Sequence, residues 1–220
     1  MKTVLITGAN RGIGKALAEK FLVEGYFVMG TSTKGIADFS HANLIFFPLD
    51  LSQSKSIKTC VNQITDLRKP INVLINNAAI IIEKRGRPNI DPDMVALRKT
   101  LEVDLIGTIE FTEQIIPLLS PEAHIINISS RQGSFNYPLG SSTPSYKIAK
   151  AGLNMFTRVL SLQLKDQAIV SSVHPGAVKS ELAGSDADME PEEAAKYIYD
   201  LAVSKPETGQ FWFKGKKFPW

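Results

Sequence analysis

The stretch Thr7-Gly8-Ala9-Asn10-Arg11-Gly12-Ile13-Gly14 lies between a short apolar run and a segment with helical periodicity. The run Val4–Thr7 predicts a buried strand, and Lys15–Glu24 predicts a helix. Glycines at such a junction let the backbone turn tightly and approach a pyrophosphate, which the free N–H groups of the helix N-terminus then bind. The spacing Gly-x-x-x-Gly-x-Gly alone would also suit an ordinary tight turn. In its strand–loop–helix context it predicts a nucleotide-binding loop formed by Gly8, Asn10, Arg11, Gly12, Ile13 and Gly14.

The same alternation of apolar runs and amphipathic stretches continues along the chain. Strands are predicted at Tyr26–Thr31, Leu44–Pro48, Asn72–Ile75, His124–Ile128, Ile169–Val173 and Gln210–Phe213, and helices at Ser54–Asp66, Pro92–Leu119, Ser145–Leu164 and Pro191–Val203. Strands that alternate with helices of this length imply parallel pairing through right-handed crossovers. A chain of 220 residues fits one domain. We therefore predict a single-domain α/β fold over residues 1–220: a Rossmann-type, doubly wound parallel sheet of about seven strands with helices on both faces.

Composition excludes several other classes of protein. The chain is 44% hydrophobic and 21% charged, as in ordinary globular proteins. Its net charge of +3 is small and its basic residues are scattered, so neither nucleic acid nor a membrane is expected as a partner. No stretch has transmembrane length and no secretory signal is recognisable, which favours a cytoplasmic protein. The single cysteine, Cys60, is expected in the core, and no residue spacing suggests a metal site.

The end of the second predicted strand indicates which nucleotide would bind. A site selective for NAD usually has an acidic residue there to bind the ribose 2′-hydroxyl. Here the sequence is Gly30-Thr31-Ser32-Thr33-Lys34-Gly35, which has hydroxyls and a cation but no acid. Ser32, Thr33, Lys34 and Arg11 could donate hydrogen bonds to a 2′-phosphate, although the cations would also suit a solvated surface. NADP(H) is therefore favoured over NAD(H).

Tyr146 and Lys150 lie four residues apart at the start of a predicted helix, so their side chains share one face. A phenol is a poor acid–base catalyst at neutral pH unless its anion is stabilised. One cation about 5 Å away contributes roughly 3 kcal/mol at an effective dielectric constant near 20, or about two pKa units. Ser130 lies just past the carboxyl end of the fifth predicted strand, at the edge where open α/β sheets bind ligands. The three residues predict proton transfer to a carbonyl compound, although the tyrosine–lysine pair alone would also suit a helix surface.

Taken together, these motifs resemble the short-chain dehydrogenase/reductase family over nearly the whole chain. The matching stretches are TGANRGIG, Asp50-Leu51, NNAA from Asn76 to Ala79, ISS, YKIAK and HPGAVKS from His174 to Ser180. SSRQGS, YKIAKAGLNM and the segment from Thr208 to Trp220 are most similar to the small carbonyl reductases of the C-factor and sniffer type.

The resemblance also implies roles for individual residues. Asp50, with Leu51, would hold the adenine, and Asn76 and Ala78 would lie near the cofactor, Asn76 beside the adenine ribose. The segment containing Pro175, Gly176, Val178 and Ser180 would flank the nicotinamide and the pyrophosphate. Ser130, Tyr146 and Lys150 would form the catalytic triad, and Tyr146 and Lys150 would also contact the cofactor.

Three residues depart from the family pattern. Ala79 replaces a glycine and Ser180 replaces a threonine, and both changes are conservative. Asp104 stands where the family has a catalytic asparagine that supports a bend in its helix and a water relay to the lysine. An aspartate could keep both roles, partly through its backbone carbonyl, and would then be a fourth catalytic residue. It would also place a carboxylate near Lys150 and alter the pKa of Tyr146.

The main hypothesis is reduction of a ketone or aldehyde by NADPH. Tyr146 would donate the proton, Lys150 would lower the pKa of Tyr146 and hold the ribose, and Ser130 would orient the carbonyl oxygen. Two alternatives stay open: a nucleotide-binding signalling protein with little turnover, which Asp104 would favour, and NADP-dependent oxidation of an alcohol at the same site. The expected ligand is a small-molecule carbonyl compound or alcohol.

The predicted helix Ser145–Leu164 carries a broad apolar stripe, formed by Ile148, Leu153, Phe156, Val159 and Leu160. The family that the sequence resembles commonly pairs this helix with its two-fold mate, so the resemblance implies a subunit contact here. We expect one side of it to pack in the core and the other to contact a second subunit, in a homodimer or homotetramer.

Overall fold

A computed structural model describes residues 1–83, 93–137, 140–179 and 187–220. Its centre is one sheet of eight strands in the order β3-β2-β1-β4-β5-β6-β7-β8. The strands are β1 (Thr3–Ile6), β2 (Phe27–Ser32), β3 (Leu44–Pro48), β4 (Ile71–Asn76), β5 (Leu119–Ile128), β6 (Ala168–Val173), β7 (Gln210–Phe213) and β8 (Lys216–Lys217). All neighbours pair in parallel except β8, which is antiparallel to β7. The predicted doubly wound parallel sheet is confirmed, with one more strand than expected because two residues are too few to show periodicity.

Six α-helices lie in the described ranges. They are α1 (Gly12–Val23), α2 (Ser54–Asp66), α3 (Met94–Leu101), α4 (Gly107–Ile115), α5 (Pro144–Gln163) and α6 (Pro191–Val203). Helices α1 and α6 pack against each other and cover one face of the sheet. Helices α2, α4 and α5 cover the other face. Among these helices, none is long and apolar enough to cross a membrane.

The central strands are apolar on both faces because both faces are covered. In β1, Val4 and Ile6 pack in the core under α1 and α6, whereas Leu5 packs in the core under α2, α4 and α5. In β4 the same alternation places Ile75 in the first core and Leu74 in the second. The continuous apolar runs in the sequence are thus the product of two cores that share one sheet.

The structure corrects the prediction of one long helix at Pro92–Leu119. Pro92 lies outside the described residues, Asp93 caps the N-terminus of α3, and α3 and α4 are separated by a π-helical turn at Glu102–Ile106. A short 3₁₀ turn then leads into β5, which begins at Leu119, earlier than the predicted His124. Helical periodicity could not locate the π-helical turn, because one wide turn hardly changes the spacing of apolar residues.

The direction in which successive strands are added to the sheet reverses at β1. Strands β2 and β3 lie on one side of β1, whereas β4 to β8 lie on the other. The carboxyl ends of β1 and β4 therefore diverge into a crevice, which is the position at which open α/β sheets bind ligands.

Candidate active site

A cavity of about 620 Å³ lies at the carboxyl ends of β1, β2 and β4. Of the predicted cofactor residues, its lining includes Gly8, Asn10, Arg11, Gly12, Ile13, Gly14, Ser32, Thr33, Asp50, Leu51 and Ala78. Among the described residues, the lining also includes three cations, Arg11, Lys99 and Lys179, and one acid, Asp50. Its volume and its excess of positive charge suit an anionic ligand of nucleotide size.

The glycine-rich loop brings strand and helix backbones unusually close. A Cβ atom on Gly14 would lie 2.1 Å from the carbonyl oxygen of Gly8, so only glycine fits there. Gly8 and Gly12 both have positive φ values, of 64° and 52°, which glycine adopts without strain. The N-cap residue of α1, Arg11, makes no side-chain capping hydrogen bond, and Gly12, Ile13 and Gly14 line the cavity. The first turn of α1 thus faces the cavity, as a pyrophosphate site requires.

The end of β2 supplies hydroxyl groups to the same cavity. Thr31, Ser32 and Thr33 line it, whereas Lys34 is exposed and lies outside the lining. The Ser32 hydroxyl donates to the Ile36 carbonyl at 2.8 Å and accepts from the Ile36 amide at 3.0 Å, which fixes the turn after the strand. The nearby acid Asp38 is exposed and forms an ion pair with Lys15 at 2.9 Å, outside the lining.

Asp50 and Leu51 follow β3 and form another wall of the cavity. One carboxylate oxygen of Asp50 accepts hydrogen bonds from the amide and the hydroxyl of Ser52, at 2.9 and 2.7 Å. Behind this wall lies α4, whose first residue is Gly107. A Cβ atom there would lie 1.9 Å from the Leu51 carbonyl oxygen, so the helix backbone directly supports the wall.

The two neighbouring asparagines have different surroundings, and the expected place of Asn76 needs correction. The Asn76 amide is buried and donates to Thr112 and Asn127, at 2.8 Å in each case. Asn77 instead lines the cavity and donates from its side chain to the carbonyl oxygens of Thr7 and Gly8, at 2.9 and 3.1 Å. The last residue of β4 still points into the helix layer, and the chain turns to the crevice one residue later.

Lys150 and Asp104 form a buried pair between α5 and the π-helical turn. Their charged atoms are 3.7 Å apart, and Lys150 also donates to the carbonyl oxygen of Ile128 at 3.1 Å. The other oxygen of Asp104 accepts from the amide of Ile80, which lines the cavity, at 2.8 Å. Asp104 therefore links the lysine of the catalytic helix to the cavity wall.

Burial shifts the pKa values of both members of this pair. It raises the pKa of Asp104 to about 6, against the opposing effects of Lys150 and the Ile80 amide. Burial also lowers the pKa of Lys150, and Asp104 opposes that shift. The Lys150 ammonium lies 5.4 Å from the centre of the Tyr146 ring. The pair therefore has a cation beside the phenol and a carboxylate that partly offsets it.

The segment after β5 packs against α5 at the level of Lys150. A Cβ atom on Gly133 would lie 2.6 Å from the Lys150 carbonyl carbon, and the Ser129 hydroxyl donates to the Lys150 carbonyl oxygen at 3.3 Å. Ser130 is buried and its hydroxyl accepts from the amide of Gln132 at 3.2 Å. The end of β5 and the first turns of α5 are thus held together, and Tyr146 is half-buried one turn before Lys150.

The turn after β6 reaches the cavity through Lys179, which lies within the predicted Pro175–Ser180 segment but was not itself named as a cofactor contact. Pro175, Gly176 and Val178 lie outside the cavity lining, whereas Lys179 is part of it. Val178 is buried and pairs with Met189. The predicted contact at Ser180 lies outside the described residues.

Some lining residues carry no motif signal of their own. Lys99 and Val103 come from α3 and the π-helical turn, and Asn77 and Ile80 from the segment after β4. Asn77 lies in the NNAA stretch that was singled out from the sequence. In the described ranges, no cluster of three or more His, Cys, Asp or Glu side chains is arranged to hold a metal ion.

Comparison with known proteins is consistent with this geometry. Residues 2–191 match the sequence model of the short chain dehydrogenase family. The 3-oxoacyl-acyl-carrier-protein reductase FabG of Buchnera aphidicola is 30% identical over 187 residues, which cover 81% of this chain and 74% of that protein. The 1-hydroxy-2-glutathionyl-2-methyl-3-butene dehydrogenase of Rhodococcus is 27% identical, over 96% of each chain.

Solved structures extend the similarity to the whole chain. The carbonyl reductase Sniffer of D. melanogaster superposes with a TM-score of 0.88 and 26% identity over the full length of both chains. A short-chain dehydrogenase/reductase of Burkholderia multivorans shares the fold, with a TM-score of 0.89 and 23% identity over 100% of this chain and 99% of that one. The family match, the relatives and the superpositions agree with the motifs and the cavity, and the chain belongs to the short-chain dehydrogenase family of oxidoreductases.

Proposed function

We propose that this oxidoreductase reduces a ketone or aldehyde to an alcohol with NADPH, using Tyr146 as the proton donor. The observation that carries the proposal is the buried Lys150 ammonium, which lies 5.4 Å from the centre of the Tyr146 ring and is connected through Asp104 to the wall of a cavity of nucleotide size. Sniffer, which is 26% identical over its whole length, is a carbonyl reductase. Enzymes of this family bind a nicotinamide cofactor and act on small molecules.

The cavity has the features that a dinucleotide needs. The glycine-rich loop from Gly8 to Gly14, the first turn of α1 and the cations Arg11 and Lys179 suit a pyrophosphate. Asp50, with one oxygen bound to Ser52, could accept from the adenine amino group. When bound, the cofactor would supply a hydride to the carbonyl carbon of the substrate.

The protein's own residues would handle the proton and the substrate oxygen. Tyr146 would donate its hydroxyl proton to the oxygen as negative charge develops there. Lys150 would stabilise the resulting tyrosinate, because a cation close to a phenol in a buried site favours its ionised form. Ser130 would donate to the same oxygen and orient the carbonyl group. In the reverse direction the same residues would serve the oxidation of an alcohol.

NADPH is proposed over NADH on the basis of charge. The lining near the end of β2 includes Arg11 and three hydroxyl residues, and Asp38, which follows the strand, is paired with Lys15. A 2′-phosphate would meet donors there, as Arg11 in particular would form charge-assisted hydrogen bonds. In a thermal-shift titration, NADPH should therefore stabilise the protein at lower concentration than NADH. An equal or reversed preference would contradict the proposed role of Arg11 in binding the phosphate.

The reaction itself is tested by NADPH oxidation with a panel of ketones and aldehydes. The Tyr146→Phe variant should lose most of its turnover, by roughly 10²-fold or more, because general acid catalysis contributes at least that much. Its NADPH affinity should stay close to that of the wild-type protein, because the phenol acts on the substrate. If the wild-type protein binds NADPH but turns over no carbonyl compound, the reductase proposal fails. That result would favour the alternative of a nucleotide-binding signalling protein.

A further inference from the structure

A second buried carboxylate, Glu83, contacts the start of the catalytic helix. Glu83 lies in the segment after β4, whose earlier residues line the cavity. Its carboxylate accepts from the Ser145 hydroxyl at 2.6 Å and from the Ser145 amide, at 3.1 and 3.2 Å to its two oxygens. Ser145 immediately precedes Tyr146. All three contacts therefore act on the residue next to the proposed proton donor.

The residue at the N-cap position of helix α5 does not cap the helix with its side chain. Thr143 stands at the cap position in a left-handed conformation, with φ of 53°, and its side chain makes no capping hydrogen bond. Pro144 has no N–H group, so Ser145 is the first residue of the helix with an amide to satisfy. Glu83 satisfies that amide from a distant part of the chain. A carboxylate at this end also interacts favourably with the helix dipole.

The same segment is held to α5 at a second point. Three residues before Glu83, the Ile80 amide donates to Asp104, and Asp104 forms an ion pair with Lys150 one turn further along α5. The segment from Ile80 to Glu83 is therefore connected to α5 both at Ser145 and, through Asp104, at Lys150. Tyr146 lies between these two connections.

We propose that Glu83 is a positioning residue, which holds Tyr146 at a set distance from the cavity wall by binding Ser145. This inference rests on the proposed reductase function only for its catalytic consequence. The three contacts to Ser145 do not involve the cofactor or the substrate. The positional effect can therefore be measured in the protein without either ligand.

The first test measures hydrogen exchange of the Ser145 amide by NMR. In a helix this amide has no intrahelical acceptor, so Glu83 is its source of protection. Glu83→Ala should accelerate its exchange by roughly 10-fold or more, the equivalent of one lost charge-assisted hydrogen bond. Glu83→Gln keeps an acceptor oxygen and should preserve most of the protection. Unchanged exchange in Glu83→Ala would overturn the proposal.

The second test separates catalysis from binding. Because a displaced proton donor slows chemistry, Glu83→Ala should lower kcat by roughly 10- to 100-fold. The Kd for NADPH should stay within about twofold, and Glu83→Gln should restore most of kcat. The matched control is Glu122→Gln, an exposed carboxylate paired with Lys205 at the opposite end of β5. It should leave kcat unchanged. An equal loss of kcat in Glu83→Gln and Glu83→Ala, or no loss in either, would contradict positioning.

A third variant guards against misfolding of Glu83→Ala. Ser145→Ala removes only the hydroxyl contact and keeps a good helix former. If Glu83 acts through Ser145, both substitutions weaken the same contact. Ser145→Ala should therefore lower kcat by a smaller factor in the Glu83→Gln variant than in the wild-type protein. If Ser145→Ala lowers kcat by the same factor in both proteins, the proposal is overturned. If the wild-type protein reduces no carbonyl compound, the proposed function fails, and hydrogen exchange still decides whether Glu83 holds the helix.

Discussion

Asp104 places a carboxylate where it touches both the cavity wall and the lysine of the catalytic helix. Above pH 6 its charge partly cancels the field that Lys150 exerts on Tyr146, because burial raises the pKa of Asp104 only to about 6. Below that pH the neutral acid no longer opposes the lysine. The residue thus makes the strength of the lysine field depend on pH near 6.

Asp104→Asn should therefore retain or raise activity. The amide keeps the size of the side chain and an acceptor for the Ile80 amide, but removes the opposing charge. With the carboxylate gone, the tyrosinate is better stabilised and the pKa of Tyr146 falls. The decline of the reduction rate at alkaline pH should then move to lower pH. Comparing the pH–rate profiles of both forms measures this shift.

The opposite result has a clear meaning. If the carboxylate has become a required part of a proton relay, the asparagine variant should be slower at every pH. A large loss of rate at every pH would contradict the electrostatic effect of Asp104 on Tyr146, whereas a loss of rate only at alkaline pH would agree with it.

At the scale of elements, the junction between the π-helical turn and α4 connects the catalytic region to the adenine wall. The turn carries Asp104, and the first residue of α4, Gly107, packs against the backbone of Leu51. One helical connection thus supports two parts of the cavity. The backbone of Gly107 lies so close to Leu51 that position 107 has no room for a side chain.

Gly107→Ala should destabilise the protein and weaken NADPH binding together. Its Cβ would lie 1.9 Å from the Leu51 carbonyl oxygen, so one of the two backbones would have to shift. Overpacking of this kind typically costs about 1–3 kcal/mol, and the Asp50–Leu51 wall would have to shift. Urea unfolding and NADPH titration measure the two effects. Gly140→Ala is the matched control, since a Cβ there meets nothing within 4 Å. A Gly107 variant as stable as the control would contradict this packing argument.

For the whole molecule, the exposed side of α5 bears on the predicted assembly. Leu153 and Leu160 are buried in the core, whereas Ile148, Met155, Val159 and Leu162 are exposed. These four residues recur at helical spacing and form one apolar face on the outside of the molecule. An exposed apolar face of this kind is typical of a subunit contact.

We expect Met155→Lys to convert a homodimer or homotetramer into smaller species. A lysine in the middle of this face would bury an unpaired charge in a symmetric contact, where two copies of it would meet. Sedimentation velocity measures the change. Val203→Lys, on the exposed side of α6, is the matched control and should leave the assembly as it is. A wild-type protein that sediments as a monomer would contradict the predicted contact on α5.

Several features could be predicted from the sequence because they depend on local chemistry. Apolar runs bounded by glycine and proline located seven strands, and helical spacing located α1, α2, α5 and α6 within a few residues. The glycine-rich loop lies where its context predicted, because only glycine tolerates the approach of Gly14 to Gly8. The four-residue spacing of Tyr146 and Lys150 likewise indicated a shared helix face, which the structure contains.

Other features depended on contacts between distant segments, and only the tertiary structure decided them. The π-helical turn, the burial of Asn76 and the place of Asn77 follow from how the ends of β1 and β4 meet the helix layer. Glu83 shows no sequence signal, because a carboxylate 62 residues from Ser145 caps a helix only once the fold brings the two together. Local patterns thus determined the elements and the motif residues, whereas long-range packing determined which buried charges act on the proposed proton donor.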